Sequence, residues 1–151
     1  MSLFSRLTKR SSGEPPQPPP IVADALKGAE WIAKALNSSG YRADFSLESL
    51  REVDRYFDDQ TLDGKARDEG LLSQKLGQRL FALGAYCGEV IRRSAGGTWQ
   101  GGTPGPQAEI DLALLLLNGS TLYPVQRAMK RYQNGTEDSL YAYAAVIMRS
   151  A

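Results

Sequence analysis

From Ile21 onward, apolar residues recur at helical spacing. Val22, Leu26, Ala29, Ile32 or Ala33 and Leu36 share one face, and Asn37-Ser38-Ser39-Gly40 closes the segment. A second helix is expected from Ser46, a favourable N-cap, with Phe45 and Leu50 spaced for a hydrophobic staple. Its buried stripe is Leu47, Leu50, Val53 and Phe57, and Glu48, Arg51, Glu52, Arg55, Asp58 and Asp59 form the opposite face. Residues 63–70 read as a polar loop. The third helix, over about 71–94, is the longest. Leu72, Leu76, Leu80, Leu83, Cys87 and Val90 line one side, while Gly77, Phe81, Gly84, Gly88 and Ile91 line another. A helix apolar on two sides is packed on both flanks and belongs at the centre.

After Gly96-Gly97 the period shortens. Strands are expected near Trp99, over 109–117 and over 120–123, with Asn118-Gly119 a strong hairpin turn signal between the last two. Pro124 suits the first position of a helix carrying Val125, Ala128, Met129 and Tyr132. Asn134-Gly135 supplies a left-handed stop, and Thr136 is expected to cap a last helix with Glu137 and Asp138 in its first turn. The fold class that follows is α+β: a small antiparallel β-meander of about three strands, packed with about five helices around the long central one.

Length and composition narrow this further. A chain of 151 residues, 42% hydrophobic and 23% charged, suits one globular domain, here expected over 21–151. Residues 1–20 read as a disordered basic, proline-rich tail, with Pro15, Pro16 and Pro18 to Pro20 forming a polyproline-II spacer. Leu3, Phe4 and Leu7 beside Arg6, Lys9 and Arg10 leave a second reading open, a peripheral adaptor docking on a membrane surface or partner. The longest apolar run, 112–117, is too short to span a bilayer, and the start lacks a signal-peptide pattern, so a cytoplasmic setting is expected. The Asn-x-Ser/Thr matches at Asn37, Asn118 and Asn134 are then chance, two of them better read as Asn-Gly turns.

Charge and rare residues exclude whole classes of chemistry. Eighteen Lys and Arg against seventeen Asp and Glu leave a net charge of +1, which makes no case for nucleic acid as partner. The absence of histidine removes Ser-His-Asp and Cys-His catalysis and imidazole metal sites. Cys87, the single cysteine, fits a small core residue better than a nucleophile. Glu109 and Asp111 share a strand face but fall far short of a calcium ligand set. The clusters Gly96-Gly97 and 101–105 match no phosphate loop. No cofactor and no metal is expected. Arg127, Lys130 and Arg131 read as a solvated basic helix face. Residues 44–69 carry nine acids against four bases, and Glu48, Glu52, Asp58 and Asp59 form a candidate acidic patch for a basic partner.

Glu89 is the most tempting acid, as an acid-base group with Tyr86 or Arg92; its ordinary explanation is an i,i+4 pair with Arg93 on the polar side of the helix. Gly84 and Gly88, one turn apart, are expected to admit the backbone of the first or last helix. The run Leu83-Gly84-Ala85-Tyr86-Cys87-Gly88-Glu89-Val90-Ile91-Arg92-Arg93, followed by Gly96-Gly97-Thr98-Trp99, resembles an uncharacterised family of small bacterial domains. Those domains carry a Leu-Gly-x-Tyr/Trp-x-Gly-Glu helix, then Gly-Gly-x-Trp, then a short sheet. The resemblance spans about 45–143 in layout and implies an α+β arrangement, a bacterial source and no assigned activity. Such domains occur beside toxin–immunity systems. The leading expectation is a non-catalytic protein-binding or regulatory module, immunity- or inhibitor-like; the rival is a small enzyme using Glu89. Gly84, Tyr86, Gly88, Glu89, Arg92, Arg93, Gly96, Gly97 and Trp99 are the candidate interaction or signature residues.

Overall fold

The computed structural model describes residues 19–150. The expectations placed on 1–18, the basic amphipathic segment and most of the proline-rich tail, lie outside the described residues. Among those described, five helices accompany two small antiparallel sheets, an α+β fold. Helices α1 (Pro20–Ser38) and α2 (Ser49–Gln60) come first. A two-residue hairpin follows, β1 (Thr61–Leu62) and β2 (Lys65–Ala66), where the sequence pattern showed only polar loop. Then come the central helix α3 (Leu76–Ala95), strands β3 (Thr98–Gln100), β4 (Ala113–Leu115) and β5 (Thr121–Leu122), and helices α4 (Pro124–Asn134) and α5 (Leu140–Ser150).

Helix α1 lies along α3 through small residues. Ala25, Ala29, Ile32, Ala33 and Leu36 are buried, and a Cβ on Gly28 would lie 3.6 Å from Ala82 Cα. Leu26, expected in that stripe, sits at its exposed edge because Ala25 takes the inward position and permits the closer approach. Ser46 does cap α2, its hydroxyl accepting from the Ser49 amide at 3.1 Å. The first turn is wound with i→i+3 bonds, so the α-helix proper starts three residues later than Ser46.

The 71–94 helix is interrupted. Leu71–Ser73 is a 3₁₀ turn, and Lys75 takes φ +53°, a left-handed conformation that no helix continues through. The long strand over 109–117 contracts to Ala113–Leu115. Residues 107–111 are coiled instead, with the Asp111 amide bonded to the Gln107 carbonyl. Glu109 and Asp111 therefore share no strand face.

The three-stranded sheet has the order β3-β4-β5, antiparallel throughout. Trp99 pairs with Leu114 and Leu114 with Leu122, a buried cross-strand row. Asn118-Gly119 turns the chain between β4 and β5 with Gly119 at φ +91°, as the sequence pattern predicts. Pro124 opens α4, and Gly135 at φ +79° ends it. Thr136 and its neighbours form a second 3₁₀ turn rather than the start of α5, and Ser139 does the capping, its hydroxyl accepting from the Ala142 amide at 3.2 Å.

The tightest packing is on the glycine side of α3. A Cβ on Gly84 would lie 2.5 Å from Val125 Cα, so the close backbone belongs to the start of α4 and not to the first or last helix. A Cβ on Gly88 would lie 2.2 Å from the Trp99 ring, so this glycine makes room for a side chain. A Cβ on Gly77 would have nothing within 4 Å among the described residues. Opposite signs follow. Gly84→Ala and Gly88→Ala should each lower stability by about 1–3 kcal/mol, and leucine at either site should prevent folding, because backbone or a held indole must move. Gly77→Ala should raise stability by up to about 1 kcal/mol from helix propensity alone. Urea midpoints of the variants check all three.

A buried arginine ties α4 to α2 and α5. Arg131 is 1% exposed, which corrects its place on a solvated face. Its Nε donates to Asp54 Oδ1 at 2.9 Å, and Nη2 donates to the Asp54 carbonyl and to Asp58 Oδ1. The same Asp54 carboxylate accepts from the Ser139 hydroxyl and from the Leu140 and Tyr141 amides, capping α5 from another helix. Asp54→Ala should cost about 3–5 kcal/mol, since it takes one of two carboxylates from a buried guanidinium and removes the cap of α5. Denaturant titration measures the loss, and amide exchange at Leu140 and Tyr141 should show α5 released first; adding Arg131→Met should restore part of the stability.

Candidate functional site

Tyr86, Glu89 and Arg93 fall at i, i+3 and i+7 on α3, one face of the helix. The structure gathers most of the signature residues there. Glu89 is 1% exposed, not on a polar face as its pairing with Arg93 suggested. Its carboxylate accepts from Arg92, from Arg93 Nε at 3.3 Å and from Trp99 Nε1 at 2.8 Å. Gly88 admits the indole, Glu89 receives its N–H, and Gly96 and Gly97, both at positive φ, turn the chain that delivers Trp99. Arg93 reaches on to Glu30 at 2.8 Å and lies 3.6 Å over the Phe45 ring. Phe45, itself left-handed at φ +63°, stacks on Tyr86, whose hydroxyl bonds to Ser49 Oγ and the Phe45 amide.

These contacts settle what each group can do. Burial alone would raise the Glu89 carboxyl; hydrogen bonds from Arg92 and Trp99 and the charge of Arg92, with Arg93, outweigh it and hold the group below the usual carboxylate range. It is an ionised, fully occupied acceptor, the opposite of an acid poised to give up a proton near neutrality. Burial raises the Tyr86 hydroxyl, and that hydroxyl faces α2 rather than Glu89. Of the two proposed partners, the structure brings only Arg92 to Glu89. Burial also pushes the Cys87 thiol up to about 12, so a thiolate is scarce at neutral pH. Among the described residues, no group of three or more Cys, Asp or Glu is placed to hold a metal ion.

The acidic patch is largely spent within the molecule. Glu48 pairs with Arg51, Glu52 with Arg55 and the Arg42 amide, Asp58 with Arg131, and Asp59 with Arg55 and the Tyr41 hydroxyl. Arg127, of the basic stripe, pairs with Asp138 and lies over the Tyr143 ring.

A second location escapes the sequence reading. Trp31 projects from α1 with 52% of its surface exposed, at the mouth of a cleft of about 240 Å³. Ile32, Ala35 and Leu36 of α1 and Tyr56 of α2 supply apolar lining; Leu71 and Arg79 complete it, with Ser38 and Ser39 at the end of α1. Leu71 is exposed yet held at both backbone groups, its amide by Gln60 Oε1 at 2.7 Å and its carbonyl by the Arg79 guanidinium. The turn that presents it is bounded by Glu69 at φ +66° and Lys75 at φ +53°, two non-glycine residues in the left-handed region. One signal was present in the sequence: Trp31 lies outside the apolar stripe of α1, so an amphipathic helix exposes it.

Glu89→Gln should lower stability at neutral pH by about 1.5–3 kcal/mol, because charge-assisted bonds become neutral ones. The pH dependence fixes the sign. A depressed folded-state pKa gives stability that is complete above the usual 4.5 and is lost as pH falls through the lower folded value. The wild-type melting temperature should therefore fall more steeply than that of Glu89→Gln below that point, and the gap between them should close; thermal melts across the acid range check it.

Comparisons of the chain with protein-family models, with curated proteins and with solved structures found no match, so the functional reading rests on this geometry.

Proposed function

We propose that this chain is a non-catalytic protein-binding module that receives an apolar segment of a partner protein in the Trp31 cleft, in the manner of an inhibitor or immunity protein that acts by covering its target. A bacterial, cytoplasmic setting is part of this reading; no helix of the described residues is long and apolar enough to cross a membrane.

The observation that carries the reading is the half-exposed Trp31 beside an apolar cleft with a pinned leucine wall. An exposed tryptophan next to a ready-made apolar recess is the usual anchor of a protein interface. The recess is smaller than the roughly 300–1,000 Å³ of small-molecule sites and suits one or two side chains of a peptide. Its walls are fixed by backbone bonds, which lowers the ordering cost of binding.

Panning a displayed library of random dodecapeptides against the full chain tests this. Selected peptides should converge on a large apolar anchor. Trp31→Ala and Leu71→Ala should each weaken them by at least about tenfold, as interface hot spots do. Val146→Asp, on the exposed side of α5, should leave them unchanged. Circular dichroism of every variant should match the wild type. Convergent binders indifferent to Trp31, or none, would overturn the reading.

A further inference from the structure

Arg51, Arg55, Arg92, Arg93, Arg127 and Arg131 each pair with a carboxylate, whereas among the described residues no carboxylate lies within ion-pair distance of Arg67, Arg79 or Arg149. Arg67 and Arg149 are exposed; Arg79 alone of these three lines the Trp31 cleft. Its one side-chain bond goes to the Leu71 carbonyl, which leaves the rest of its guanidinium fork without a partner among the described residues. It is half-buried and lines the Trp31 cleft. Its charge also reaches the Tyr56 hydroxyl on the cleft floor, which burial raises and Arg79 draws back down.

We propose that the cleft recognises an acidic–apolar peptide segment of the partner, with Arg79 binding a carboxylate next to the apolar side chain that fills the recess. This rests on the Trp31 cleft being the docking site. Charge complementarity selects the occupant: the lining holds one cation, no anion and a largely apolar surface. A planar guanidinium matches a carboxylate in a two-pronged geometry. The apolar walls lower the local dielectric and strengthen that bond over its value in water. The Leu71 carbonyl fixes the guanidinium beforehand, so less side-chain freedom is lost when the acid arrives.

The same dodecapeptide library, panned in parallel on wild type, Arg79→Gln and Arg79→Lys, decides it. Binders selected on wild type should carry Asp or Glu beside the apolar anchor. Replacing that acid by its amide should weaken binding to wild type by about tenfold and to Arg79→Gln by less than about twofold. Arg79→Lys should keep the preference for an acid with a smaller ratio, and raised ionic strength should weaken only the acidic peptides. Trp31-dependent binders with no acid, or an acid-to-amide loss equal on wild type and Arg79→Gln, would overturn the role of Arg79 and leave the docking site standing. Failure to select any Trp31-dependent binder would overturn both. If Arg79→Gln loses its fold, the acid-to-amide ratio on wild type against that on Arg79→Lys carries the same decision.

Discussion

Helix α3 is approached more closely than its own side chains would allow, and two absent Cβ atoms set the distance. At Gly84 the backbone of α4 comes to within 2.5 Å of where a Cβ would stand; one turn later Gly88 leaves the space that the Trp99 ring fills. Much of the C-terminal half follows. The seated indole fixes β3, which pairs with β4, which pairs with β5. The seated start of α4 aims Arg131 at Asp54, and Asp54 in turn caps α5. A glycine inside a helix costs on the order of 1 kcal/mol in propensity, and here the close approach offsets it.

Two carboxylates, the buried Glu89 and the half-buried Asp54, act as cross-links in this scheme. Glu89 joins α3 to β3, and Asp54 joins α2 to α4 and α5. Each is saturated by donors from separate elements, so each carries structure and neither is free for chemistry. The exposed i,i+3 pairs on α2 are of another kind; such pairs contribute roughly 0–1 kcal/mol and serve chiefly to cancel the acidic face. Arg79 is of another kind again: among the described residues it has no acid, and it lies in a cleft beside the exposed Trp31 and Leu71.

The signature run Leu83–Arg93 with Gly96-Gly97-Thr98-Trp99 takes on a structural meaning in this light. Gly84 and Gly88 are spaces, Glu89 and Trp99 are a hydrogen-bonded pair, and Tyr86 stacks on Phe45 while its hydroxyl holds Ser49. Arg93 also lies over the Phe45 ring. The run describes how a helix and the strand after it are locked together, and the candidate docking cleft lies elsewhere, between α1, α2 and the Leu71 turn.

What the sequence by itself determined is whatever depends on local geometry. The helical stripes of α1, α2 and α3, proline at the start of α4, and the turns at Asn118-Gly119 and Asn134-Gly135 were legible because period and φ preference act within a few residues. That Trp31 faces away from the core was equally readable from the stripe it does not join. Only the tertiary structure decided the rest. The bond of Glu89 to Trp99 and that of Arg131 to Asp54 join residues 10 and 77 positions apart, pairings no local pattern encodes. The break at Lys75 and the coil over 107–111 override continuous apolar periodicity, because side-chain period is indifferent to a single left-handed residue or an i→i+4 turn. That Arg79 lines an apolar cleft with no carboxylate beside it among the described residues emerges only once α1, α2 and α3 are placed together in space.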